Sequence, residues 1–108
     1  MPAYSSSGQF ARIWWRYNQQ TNNVIDSHSV TSVSDIQAGF FRVNFSYTFG
    51  TLPCVTAACS YDTSVTSNSH SEYIKVYPST SDCNVGTPNP NMSYHDCKFN
   101  GGAVFGDN

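Results

Sequence analysis

Any chemistry in this 108-residue chain has to come from three histidines, four cysteines, seven carboxylates and five basic residues. His28, His70 and His95 fall on separate segments, and the sequence has neither a G-x-S-x-G elbow nor an H-E-x-x-H helix. Asp26 and His28 stand two apart, so on a strand they share a face. That suits a base with its orienter, or simply a polar pair facing solvent. His95, Asp96 and Cys97 are consecutive, but neighbours along a strand point to opposite faces and cannot act on one atom. Glycoside hydrolysis needs two carboxylates facing each other across a cleft, and nothing brings Glu72 together with any of the six aspartates. The expectation is a non-enzyme with no catalytic residue, no metal site and no cofactor.

Cys54, Cys59, Cys83 and Cys97 are separated by 4, 23 and 13 residues, so no C-x2-C pair announces a zinc ribbon. Buried thiols and one or two late-formed disulfides both fit this spacing, and a four-thiolate zinc site fits less well. Cys54 and Cys59 differ by five, which on a straight strand puts them on opposite faces and argues against a bond between them.

Two groups suit recognition better than catalysis. Phe10, Arg12, Trp14 and Arg16 alternate along one strand face, and an aromatic between two arginines covers another subunit through stacking and cation–π contact. The same group suits a sugar ring, or Trp14 closes one side of its own core. Tyr73 and Tyr77, beside the Ser/Thr/Asn/His-rich stretch 62–71 that holds His70, offer rigid amphipathic contact for surface recognition.

The elements that would carry these residues are strands. Ser, Thr and Asn fill 35 of the 108 positions, aromatics make up 15% and charged residues only 11%. That composition is unlike disordered chains, which have high charge and few aromatics, and unlike helix-rich ones. Net charge is −2, so there is no basic stripe for nucleic acid. No run approaches the roughly 20 apolar residues of a membrane helix. Met1 to Gly8 lacks the charged and apolar regions of a signal peptide. The expectation is a complete, soluble chain outside the general secretory route.

Alternation gives the detail. Phe41, Val43, Phe45, Tyr47 and Phe49 share one face, with Arg42, Asn44, Ser46 and Thr48 on the other. Residues 53–61 alternate next, with small residues on both faces. They predict a strand covered on both sides that forms a hairpin with the preceding one. Gln9 to Tyr17 reads as a first strand with Ala11, Ile13, Trp15 and Tyr17 on its inner face. Residues 24–36 read as a strand pair or one long bent strand, and 72–77 as a strand with Ile74 and Val76 inward. Residues 103–105 read as a last strand, preceded by one around 94–99. Residues 62–71 and 78–91 read as loops. The fold class is all-β: a single antiparallel β-sandwich domain over 9–108, after a short segment 1–8.

The stretch Arg12-Ile13-Trp14-Trp15-Arg16-Tyr17-Asn18 resembles the R-A-W-V-N-F-N opening of a β domain found at the C-terminal ends of bacteriophage tail fibre proteins. Val30 to Asp35, Gly39, Phe41-Arg42-Val43-Asn44-Phe45, Pro53 to Tyr61 and the closing Ala103-Val104-Phe105-Gly106 match that family's later motifs in order. Together they span residues 10–106. Arg16 replaces an asparagine, Gln19 and Gln20 occupy a turn that is usually glycine-rich, and the four cysteines and loop 78–91 are this chain's own. The resemblance implies a virion protein assembled in the bacterial host cytoplasm, a homotrimer at a fibre tip that contacts host-surface polysaccharide or protein. Segment 1–8 would dock it to a fibre shaft, baseplate or capsid. A capsid decoration or head-fibre protein of the same fold is the alternative, and a free-standing carbohydrate-binding module is a second one. The Phe10/Trp14 face is the expected shared surface, since a domain of this size buries only roughly 60–65% of its unfolded surface.

Overall fold

The computed structural model describes residues 10–60, 74–88 and 94–106. His70, Tyr73, stretch 62–71 and segment 1–8 lie outside the described residues. Among the described residues there is no helix, and eight strands form two four-stranded antiparallel sheets, a β-sandwich. The first sheet has the order β2-β1-β8-β5, built from Asn23–His28, Ile13–Asn18, Phe99–Phe105 and Cys54–Ser60. The second has the order β3-β4-β7-β6, built from Val30–Gln37, Phe40–Phe45, Asp82–Gly86 and Lys75–Pro78.

The alternation in β1 and β4 sets the core. Ile13, Trp15 and Tyr17 from one sheet and Phe41, Val43 and Phe45 from the other are buried, joined by Phe49, Cys83, Val85 and Val104. The rings of Tyr17 and Phe41 meet across the sandwich at 4.8 Å. Burying such side chains stabilises the fold by about 1.5–3 kcal/mol each.

The stretch 24–36 is a pair of strands, and the two belong to different sheets. Ser29 alone separates β2 from β3, and its φ of 57° makes the corner. Its carbonyl accepts the amide of Ser46 at 3.0 Å. Gly39 ends the two-residue β3–β4 turn at φ 71°, and a Cβ there would lie 2.5 Å from the His95 nitrogen. Only glycine meets both conditions.

Five expectations are corrected. The first strand begins at Ile13, and Ala11, expected on its inner face, is exposed before it. β5 pairs β8 and makes no hairpin with β4, because the Phe45 and Phe49 amides donate to the Ser81 and Thr80 carbonyls and residues 46–53 cross to the other sheet. β5 is therefore an edge strand covered on one face only, with Cys54, Thr56 and Ala58 exposed. Stretch 78–91 contains a central strand, β7, whose Cys83 and Val85 are fully buried; its prolines flank the strand and leave its ladder intact. The strand expected around 94–99 is absent up to Lys98, apart from a single bridge of Tyr94 to Pro88, and β8 is one seven-residue strand.

Candidate functional site

The outer face of the first sheet is built from side chains that alternate away from the core. Strand register aligns His28, Trp14, Ala103 and Thr56 in one row, and Asp26, Arg16, Gly101 and Ala58 in the next. On the β2 side the rows are tall. Trp14 stacks on His28 with centroids 6.3 Å apart and planes 15° apart, and Arg16 Nε donates to Asp26 Oδ1 at 2.8 Å. A bulge opposite Arg16 and Tyr17 adds Ile25, which is exposed. On the β5 side the rows are alanine, glycine and threonine. Tall walls beside a low floor leave a trough of about 510 Å³ lined by Arg16, Ile25, Ala58, Cys59, Phe99, Asn100 and Gly101. A shallower depression of about 330 Å³ continues over Thr56, Gly102 and Ala103.

The outer face of the second sheet satisfies itself. Arg42 Nε donates to Asn84 Oδ1 at 2.8 Å, and Asn44 Nδ2 donates to Ser32 Oγ at 3.0 Å and Ser34 Oγ at 3.1 Å. Toward one end, Phe40 stacks on Tyr77 at 6.1 Å and tilts against Tyr94 at 5.8 Å, and the Phe40 and Tyr94 rings lie against Gly86. The two faces thus differ in kind, one filled by bonded polar side chains and an aromatic cluster, the other small-floored and open.

Of the four residues expected at a subunit interface, strand register places Trp14 and Arg16 on the open face, and Phe10 and Arg12 precede β1. Trp14 and Arg16 face outward from β1, Arg12 is half-buried, and Phe10 is 60% exposed. Trp14 does not close its own core, since Trp15 holds that position at 1% exposure. Tyr77 is exposed as expected, but it belongs to the other sheet. Asp26 and His28 share a face, and each pairs across to β1, with Arg16 and Trp14.

Sequence reasoning missed the buried polar group that closes one end of the sandwich. Gln19 Oε1 accepts from the Cys97 amide at 3.1 Å and from Asn100 Nδ2 at 3.4 Å, while Gln19 Nε2 donates to Thr87 Oγ1 at 3.2 Å. Asn100 Oδ1 accepts the Trp15 indole at 3.2 Å, and the Thr87 hydroxyl donates to the His95 carbonyl at 2.7 Å. Asp96 Oδ1 takes the Gly39 amide at 2.7 Å. The run 95–97 is thus a strap between the sheets, with its polar groups committed to backbone and amide partners. The one signal for this was the glutamine pair Gln19-Gln20 in a turn.

Burial pushes the Tyr17 phenol up, helped by the charges of Asp35 and Asp96. Burial also pushes the Cys83 thiol up to about 12, against a backbone hydrogen bond from Tyr77 that lowers it and with the Asp82 charge adding to the rise. Hydrogen bonding to Cys59 raises the Cys97 thiol, and burial adds to it. None of the four cysteines is in a disulfide. Among the described residues no three His, Cys, Asp or Glu side chains gather around a point where a metal ion would sit. Comparison of the chain with protein-family models, with characterised proteins and with solved structures finds no match in any of the three.

Proposed function

We propose that the chain is a non-enzymatic structural subunit of a bacteriophage virion, the homotrimeric tip of a tail fibre or similar appendage. The single observation that carries this reading is the open trough beside Trp14 and Arg16, on a domain whose other face is bonded to itself. Contiguous exposed apolar surface of this kind marks an interaction site. Trp and Arg are the residue types that dominate interface energies. The occupant we assign is a second copy of the chain, because the low floor of Ala58, Gly101 and Ala103 lets another element approach closely. The motif resemblance over residues 10–106 supplies the trimer, the virion and the fibre tip. Host-surface polysaccharide or protein would then meet the Tyr77 side of the molecule, and segment 1–8 would reach the fibre shaft, baseplate or capsid. On this reading the subunit is made and assembled in the bacterial host cytoplasm.

Immunogold labelling of intact virions tests this. Gold at fibre tips, with binding of the purified protein to host cells, is the expected result. Gold on the capsid with no cell binding would move the protein to the decoration or head-fibre reading. A second reading rests on the Trp14–His28 stack beside the Arg16–Asp26 pair, which has the ring and polar groups of a sugar site. It predicts a monomer that binds a defined oligosaccharide and labels no virion.

A further inference from the structure

We propose that Cys59 and Cys97 are an oxidisable pair that closes to a disulfide in an oxidising medium, stapling the edge strand β5 to the strap that enters β8. Their thiols are in hydrogen-bond contact. The surrounding geometry fixes both. Cys59 pairs with Asn100 in the β5–β8 ladder, and the Asn100 side chain and the Cys97 amide both bond to Gln19 Oε1. The other two cysteines do not compete for this bond. Cys54 lies at the far end of β5 and faces outward, while Cys83 is buried in the second sheet opposite Val43.

The two positions divide the chemistry. Cys59 is half-exposed where it lines the trough, so a small disulfide such as oxidised glutathione reaches it in the unassembled chain, whereas Cys97 is fully buried. The Cys59 thiolate attacks oxidised glutathione and expels one glutathione thiolate. The Cys97 thiolate then attacks Cys59 Sγ and expels the second. Two thiol protons pass to the two released glutathiones, and two electrons leave the protein with them. Contact with Cys59, and then burial, raise the Cys97 thiol, so its thiolate is scarce and closure is slow.

The test is native incubation with oxidised glutathione, then peptide mapping and thermal melting. The expected result is a cross-linked peptide joining Cys59 to Cys97, two hydrogens lighter than the two separate peptides together. A melting temperature raised by on the order of 10 °C should accompany it and be reversed by dithiothreitol. Cys54→Ser should keep both effects and Cys59→Ser should lose both. Cys59→Ser is the variant of choice because Cys97→Ser puts a hydroxyl at a fully buried site. Four free thiols after prolonged oxidation, or a mapped bond to Cys54 or Cys83, overturns the pair. A Cys59–Cys97 bond that leaves the melting temperature unchanged overturns the staple.

Discussion

Trp15 lies directly against Gly102, so closely that a Cβ on that glycine would stand 2.1 Å from the indole Cζ2. The two are register partners on β1 and β8, and Ala57 on β5 completes the row. The largest side chain of the core thus spreads over a position of β8 that offers none. Gly102→Ala should force the indole out of place and break its bond to Asn100, costing about 1–3 kcal/mol or more. Urea unfolding measures this; a variant as stable as the parent would mean that Trp15 has room to move.

Gln19 sits in a turn yet is 3% exposed, holding the Cys97 amide, Asn100 and Thr87 together. Gln19→Leu keeps much of the volume and strips the partners, leaving buried donors unsatisfied at about 1–3 kcal/mol each. Its exposed neighbour is the control, since Gln20→Ala should stay within about 0.5 kcal/mol. Equal effects from the two substitutions would show that the buried network contributes nothing.

Alkali should destabilise the fold. The folded Cys83 thiol ionises near 12, above the ordinary value of 9.0, so the native state holds its proton where the unfolded chain has lost it. Its contribution is complete below about pH 9 and disappears as pH rises through 12, at about 1.4 kcal/mol per pH unit for each proton held. Cys97 and Tyr17, also raised, act in the same direction. Urea midpoints should therefore be level from these groups below pH 8 and fall above 9, less steeply in Cys83→Ala. A profile that stays flat to pH 11 would contradict the burial of these groups.

The parts of the fold legible in the sequence were those in which one strand carries its own pattern. Ile13, Trp15 and Tyr17, and Phe41, Val43 and Phe45, alternate strictly, and alternation reports one-sided burial whatever the partner strand. Partner choice is non-local and left no trace. Residues 53–61 follow β4 closely, yet β5 pairs with β8, and the crossover depends on Phe49 binding the Thr80 carbonyl. β7 was hidden because its five residues, Asp82–Gly86, lie between prolines and polar residues, and only Cys83 and Val85 point inward. At the candidate site, alternation was enough to place Trp14 and Arg16 outward. The trough itself was invisible, since its floor is Ala58 from β5 beside Gly101 and Ala103 from β8, far apart along the chain.

The central claim is that copies of this chain meet through the open face of the first sheet. Light scattering over a range of concentrations tests it most directly, on the parent and on Trp14→Glu. Trp14 is 38% exposed and outside the core, so the substitution should leave the monomer folded while placing a charge in the contact. The predicted result is a stable parent mass near three times 11.9 kDa and a variant mass near one chain. A parent that stays monomeric at high concentration, or a Trp14→Glu trimer as stable as the parent's, would contradict it.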